Sequence, residues 1–142
     1  MSQKQEQSFY HLRNEFDTIV CIGRGGMLPS LLLSHALDIK DVQILNLSSY
    51  SNRINGQINK HNKTELDIKG KRVLIVDDLV DTGATLKKAL KYCSEAKAIK
   101  TFTVHYKKRS KIQPDYFFKI INSEWINYDY ETNQDFEKWF KD

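Results

Sequence analysis

Apolar positions along this chain fall into short unbroken runs, separated by stretches in which they recur every three or four residues. Thr18 to Ile22, Val42 to Leu47, Val73 to Val76, Ile99 to Tyr106 and Tyr116 to Ile121 have the length and the β-branched or aromatic content of buried strands. Phe9, Leu12 and Phe16 recur at helical spacing and predict a first helix over about residues 4–16. Met27 to Leu37 predicts a second helix, with Pro29 tolerated in its first turn, and Thr82 to Cys93 predicts a third. Phe136, Trp139 and Phe140 suggest a short closing helix. Strands alternating with helices imply an α/β fold with an open, mainly parallel five-stranded sheet flanked by helices.

If the third strand pairs with the first, away from the second, the order is 2-1-3-4-5 and a topological switch point lies between strands one and three. Ligands of open α/β sheets bind at such points, beyond the carboxyl ends of the strands. Here those ends are Gly23-Arg24-Gly25-Gly26 and the segment from Asp77 to Thr85. The pattern fails only between Ser48 and Lys71. Ser51 to Lys63 is rich in Asn, Lys and Gln without apolar periodicity, the character of a lid, a binding loop or a disordered segment.

Length and composition narrow the picture further. The 142 residues fit one domain, 1–142, able to bury a core without staples. Cys21 and Cys93 lie in apolar stretches and form no CxxC pair, which argues against a disulfide framework or a zinc site and for a reducing compartment. No apolar run reaches the length of a membrane span, and Met1 to Gln7 is polar, unlike a signal peptide, so a cytoplasmic location is expected. The net charge of +4 suits either nucleic acid or a phosphorylated small molecule. Basic and aromatic residues do not interleave, so nucleic acid is not the expected partner.

The chemistry concentrates between Asp77 and Thr85. A buried run ends in two adjacent carboxylates, where the turning chain lets both reach the crevice, and a third, Asp81, follows three residues later. Thr82-Gly83-Ala84-Thr85 then opens a helix, whose unpaired N–H groups and dipole favour an anion. Gly83 permits close backbone approach and the two threonines add donors. A phosphate cradle beside a carboxylate cluster suits a ligand with a phosphate at one end and hydroxyls at the other, such as a ribose 5-phosphate. Asp81 or Thr82 taken alone would read as a helix cap. The chain contains neither GxGxxG nor GxxxxGK[ST], which removes the dinucleotide and Walker A alternatives.

The run Val73-Leu74-Ile75-Val76-Asp77-Asp78-Leu79-Val80-Asp81-Thr82-Gly83-Ala84-Thr85 resembles the signature of the type I phosphoribosyltransferases at every position. The likeness extends over roughly residues 15–131, in motif order, to the 6-oxopurine members of that family, the bacterial xanthine-guanine enzymes among them. Gly23-Arg24-Gly25-Gly26 looks like their pyrophosphate loop, Ser48-Ser49-Tyr50 like the start of a mobile hood loop over about residues 49–70, and 107–131 like their base-binding segment.

The resemblance implies transfer of ribose 5-phosphate from phosphoribosyl pyrophosphate to a 6-oxopurine (guanine, xanthine or hypoxanthine), with Mg²⁺ and release of pyrophosphate. It implies that Asp77 and Asp78 hold the ribose hydroxyls, directly or through the metal, and that Asp81 relays a proton from the purine. Val80, Asp81, Thr82, Gly83, Ala84 and Thr85 would cradle the 5-phosphate, and Arg24, Gly25 and Gly26 would bind pyrophosphate. Lys107 would donate to the purine O6, Trp125 would stack on the ring, and Ile126 would offer backbone groups. A non-proline cis peptide, common in the family's pyrophosphate loop, is expected at Gly23-Arg24, and a homodimer or homotetramer is the family expectation. Arg53 and Lys60 could reach pyrophosphate, whereas His11, His35, His61 and His105 receive no role.

Two departures stand beside the expected base pocket. Asp129-Tyr130 replaces a Pro-Trp pair, and the lysine region lacks Pro-Gly character. A competing reading keeps the fold but uses it as a nucleotide-sensing regulator or RNA-binding protein without salvage activity.

Overall fold

The structure is a computed structural model describing residues 9–49, 58–60 and 65–122. Its elements are β1 (Thr18–Gly23), α1 (Met27–Ala36), β2 (Val42–Ser49), β3 (Ile58–Lys60), β4 (Arg72–Val80), α2 (Ala84–Tyr92), β5 (Ala98–Lys107) and β6 (Tyr116–Ile121). The sheet runs β3-β2-β1-β4-β5-β6. The five expected strands are all parallel, in the expected order, and β1 and β4 are neighbours (Thr18 opposite Val73, Cys21 opposite Val76). The short β3 is an addition to that expectation. It pairs antiparallel with the end of β2, inside the stretch where apolar periodicity fails, because a backbone ladder needs no apolar side chains.

Burial explains the central strands. All six residues of β1 and Val73 to Val76 of β4 are buried, as a parallel strand covered on both faces requires. One face packs Val20, Ile22, Leu45, Val73 and Ile75 against Leu86, Ala89 and Cys93 of the α2 segment. The other packs Ile19, Leu74, Val76 and Phe102 against Leu33 and Leu37 of the α1 segment. There Phe9 meets Phe102 and Phe118 edge to face, at ring-centre distances of 5.5 and 4.9 Å. Truncating a fully buried side chain such as Leu74 to Ala removes about 2–5 kcal/mol.

Three boundaries differ from the sequence expectation. The first helix does not reach residue 16: of the described residues only Phe9 and Tyr10 are helical, followed by turns and a positive φ at Asn14. Its apolar positions still reach the core, through the turns. The third expected helix starts at Ala84 and ends at Tyr92, because Gly83, at φ 96°, takes a left-handed conformation that no helix continues. Finally, β4 runs on through Asp77 and Asp78 to Val80, paired to β5 as far as Tyr106. The two carboxylates therefore lie within the strand, not beyond it. The closing helix over residues 136–140 and most of the hood lie outside the described residues.

Candidate active site

The carboxyl ends of β1 and β4 meet where topology places the switch point. The chain leaves β1 through a cis peptide between Gly23 and Arg24 and turns at once into α1. Gly26 N donates to the Ile22 carbonyl at 2.8 Å, and Ser30 N to the Gly26 carbonyl at 2.9 Å. Two glycines of this turn are dictated by close approach. A Cβ on Gly26 would fall on the Val76 carbonyl oxygen, and one on Gly25 would stand 2.5 Å from Asp78 Oδ2. The turn is thus packed directly against the β4 backbone and the Asp78 carboxylate, and Arg24 beside it is exposed.

Asp77 and Asp78, as successive strand residues, leave β4 on opposite faces. Asp78 N donates to Asp77 Oδ1 at 2.8 Å, which fixes the first carboxylate against the backbone. Asp78 lies toward Gly25 and acts on His105, across on β5. Burial and Lys119 hold the His105 imidazole below its ordinary pKa, against the upward pull of Asp78. The two cysteines stay apart from this chemistry: burial raises both thiols, Cys93 to about 11.

Beyond Val80 the chain turns through Asp81, Thr82 and Gly83 into α2. Thr82 Oγ1 accepts from Ala84 N at 3.3 Å, so a threonine tightens the turn before the helix. Thr82, Gly83, Ala84, Lys87, Lys111 and Ile112 line a cavity of about 560 Å³ at the start of α2. Free backbone donors of a first helical turn and two lysines make that space suited to an anion.

The loop after β5 completes the site. Lys107 is the last residue of β5 and only 4 % exposed, with its ammonium 3.4 Å from Asp81 Oδ1. Lys108 and Lys111, in the same basic run, are exposed, whereas Lys107 is not. Arg109 also reaches Asp81, with Nε 2.8 Å from Oδ1. The sequence reading missed Arg109, Lys87 and Lys111. Only Lys87 carried a local signal, one turn into a helix that opens on a phosphate cradle.

The structure brings Gly25, Gly26, Asp77 and Asp78 together at one edge, and Asp81 to Ala84 with Lys107 at the next. Trp125, Ile126, Asp129, Tyr130, Arg53 and His61 lie outside the described residues. A larger groove of about 690 Å³ runs between α1 and the β5–β6 face, lined by Leu28, Leu32, Phe102, Val104 and Phe118 among others. It is overwhelmingly apolar and offers no converging donors, so it does not suit a phosphorylated ligand.

Comparison with known proteins agrees with this fold. The phosphoribosyl transferase domain family matches residues 1–135. The xanthine-guanine phosphoribosyltransferase of Idiomarina loihiensis is 30 % identical over 124 residues, covering 84 % of this chain and 73 % of that protein. The crystal structure of a purine phosphoribosyltransferase from Pyrococcus horikoshii superposes with a TM-score of 0.75 at 29 % identity, over 92 % of this chain and 91 % of its own. The xanthine-guanine-hypoxanthine phosphoribosyltransferase of Helicobacter pylori gives 0.69 at 23 % identity, over 96 % and 87 %, a likeness of fold.

Proposed function

Because the chain belongs to the phosphoribosyl transferase domain family, we propose that it is a purine-salvage enzyme, transferring ribose 5-phosphate from phosphoribosyl pyrophosphate to a 6-oxopurine. The observation that carries this reading is the pairing of Asp81 with the buried Lys107, beside the phosphate loop. A carboxylate that can take a proton and an ammonium that can donate to a carbonyl stand a few ångströms apart, the complement of a purine's N7 and O6 edge.

In the reaction a bond forms between purine N9 and ribose C1 as the bond from C1 to the pyrophosphate oxygen breaks. Positive charge develops on the ribose and negative charge on the leaving group. Asp81 takes the purine proton. Asp77 and Asp78 accept from the ribose hydroxyls and favour the developing charge above them. Val80 to Thr85 hold the 5-phosphate, while Arg24, with a planar fork suited to phosphate oxygens, and the backbone of Gly25 and Gly26 receive pyrophosphate. The 4 % exposure of Lys107 makes its ammonium a fixed donor for O6. Trp125 stacks on the base, Ile126 contacts its edge, and the hood over about residues 49–70 closes to exclude water.

Among the described residues no three metal-ligating side chains gather. Mg²⁺ needs only one or two carboxylates plus substrate oxygens, so either Asp77 or Asp78, each from its own face of β4, would suffice to hold it. Bound there with the donor, the ion would neutralise pyrophosphate charge. No helix among the described residues is long and apolar enough to cross a membrane. We place the enzyme in the cytoplasm, where its two buried free thiols suit the reducing conditions. The exposed Leu28, Leu31 and Leu32 of α1 offer an apolar surface for a second copy, in keeping with a homodimer or homotetramer.

The test is pyrophosphate release from phosphoribosyl pyrophosphate and Mg²⁺ with guanine, xanthine, hypoxanthine, adenine, orotate and uracil in turn. Turnover with an oxopurine is expected. Turnover with a pyrimidine alone would remove the oxopurine assignment, and no release with any base would favour a nucleotide-sensing role.

A further inference from the structure

The loop after β5 folds back across the phosphate loop. Lys111 N donates to the Thr82 carbonyl at 3.2 Å, and Ser110 Oγ stands 3.1 Å from where a Cβ on Gly83 would lie. This fold-back carries Arg109 onto Asp81. Its Nε and Nη2 approach Oδ1 at 2.8 and 2.5 Å, the same oxygen that Lys107 approaches at 3.4 Å.

The two cations are not equivalent. Lys107 ends a strand and is buried, whereas the Arg109 side chain sits on a loop and is 58 % exposed. One is fixed in the site; the other can swing into solvent at little cost, because exposed ion pairs are weak. While the guanidinium occupies Oδ1, the lone pairs of that oxygen are committed. A purine or a water lying between Asp81 and Lys107 therefore meets an oxygen already taken, while Oδ2 faces away from both cations' contacts.

We propose that Arg109 is a positioning residue, a latch that occupies Asp81 until a purine base displaces it. The proposal rests on the reading of Asp81 as the acceptor of the purine proton. A base entering between Asp81 and Lys107 takes over the carboxylate, and the guanidinium moves outward. The latch protects the donor substrate when no base is present. A water in the base's place would bond through its oxygen to ribose C1 while the bond from C1 to pyrophosphate breaks. The electron pair would leave with pyrophosphate and the water proton would pass to Asp81, wasting the donor as ribose 5-phosphate and pyrophosphate. Arg109 withholds Oδ1, the oxygen on the Lys107 side of the carboxylate, from that water.

The experiment compares the full chain with Arg109→Gln and Arg109→Lys, with phosphoribosyl pyrophosphate and Mg²⁺, with and without an oxopurine. Arg109→Gln is expected to raise base-free pyrophosphate release by about tenfold, the scale of modest general-base assistance. It should lower KM for the base by about two- to fivefold, since an exposed ion pair no longer has to be broken. Its effect on kcat should be smaller than on KM. Arg109→Lys, which keeps the charge but loses the fork, should fall between the two. Unchanged base-free release in Arg109→Gln, beside an active unsubstituted protein, would overturn the latch alone. A raised KM with lower thermal stability and no extra hydrolysis would overturn it too, showing a structural contact. Absence of oxopurine transfer by the unsubstituted protein would instead sink the salvage reading, and the latch with it.

Discussion

The two ends of the same sheet handle charge in opposite ways. At the amino ends of β1 and β4, Arg72 donates Nε and Nη2 to the two Asp17 oxygens at 3.1 and 2.9 Å, and Nη1 to the Asn14 carbonyl at 2.9 Å. Lys71 lies between Asp41 and Asp67, at 3.4 and 3.2 Å, and the Gln43 amide exchanges two hydrogen bonds with the Asp67 backbone. Charge is spent there on joining strands to loops. At the carboxyl ends, Asp77, Asp78 and Asp81 follow one another within five residues, Gly25 is pressed against the Asp78 carboxylate, and a buried lysine and an exposed arginine converge on one Asp81 oxygen. Such crowding does little for folding and much for binding a ligand that is anionic at one end and becomes cationic at its centre. The lesson is that at the amino ends each cation ties a loop to a strand, whereas at the carboxyl ends two cations of unequal burial share one carboxylate oxygen.

The sharpest way to break that contrast is to remove one group at each end. Asp81→Asn is expected to lower kcat by about 10²- to 10⁴-fold, the range of a lost general base, while KM for phosphoribosyl pyrophosphate changes far less. Equal losses in both would refute the role given to Asp81. Arg72→Ala should do the reverse, lowering Tm by a few degrees and sparing kcat, as steady-state kinetics beside a thermal melt would reveal.

Within the carboxyl end, two neighbouring glycines should part company. Gly26→Ala forces a methyl onto the backbone oxygens of Val76 and Ile22, so about 1–3 kcal/mol of stability should be lost in a denaturant titration. In Gly25→Ala the nearest atoms to the new methyl are those of the Asp78 side-chain carboxylate rather than backbone. That variant should fold nearly as well and bind phosphoribosyl pyrophosphate more weakly by calorimetry. If the two variants melt alike, the close packing of the Gly26 turn is not what holds the loop.

The smallest effect concerns pH. The Arg72 guanidinium, by hydrogen bonding to Asp17, brings that carboxyl down from 3.8 to about 2. A lowered folded value stabilises the fold when the group is ionised. The contribution is full above about 3.8 and is lost as pH falls toward 2. Asp17→Asn should therefore lower stability at neutral pH, where the contribution is full, and flatten the acid limb of a stability-against-pH curve in that window.

Much of this was legible in the chain itself. Continuous apolar runs marked the five parallel strands, since a strand covered on both faces has no polar alternation to hide it, and their order followed only on the condition that the third pairs with the first. Asp77 to Thr85 marked the candidate phosphate cradle and its carboxylates, because those residues are contiguous and their chemistry is local. The short β3 escaped notice because a ladder of backbone groups leaves no mark on side-chain pattern. The first helix was overdrawn because Leu12 and Phe16 keep helical spacing while the backbone turns at Asn14.

Tertiary structure alone decided what stands beside what. Lys107 and Arg109 lie in one basic run, and nothing in their spacing says that the first is buried and the second is not. Both meet Asp81 because β4 and β5 are paired in register and the following loop folds back over Thr82 and Gly83. The same holds for Gly25 and Asp78, more than fifty positions apart in sequence and in contact across the switch point. A sequence determines what each segment can be and which chemical groups it carries. Which groups share an atom depends on strand register and loop return, set by packing across the whole sheet.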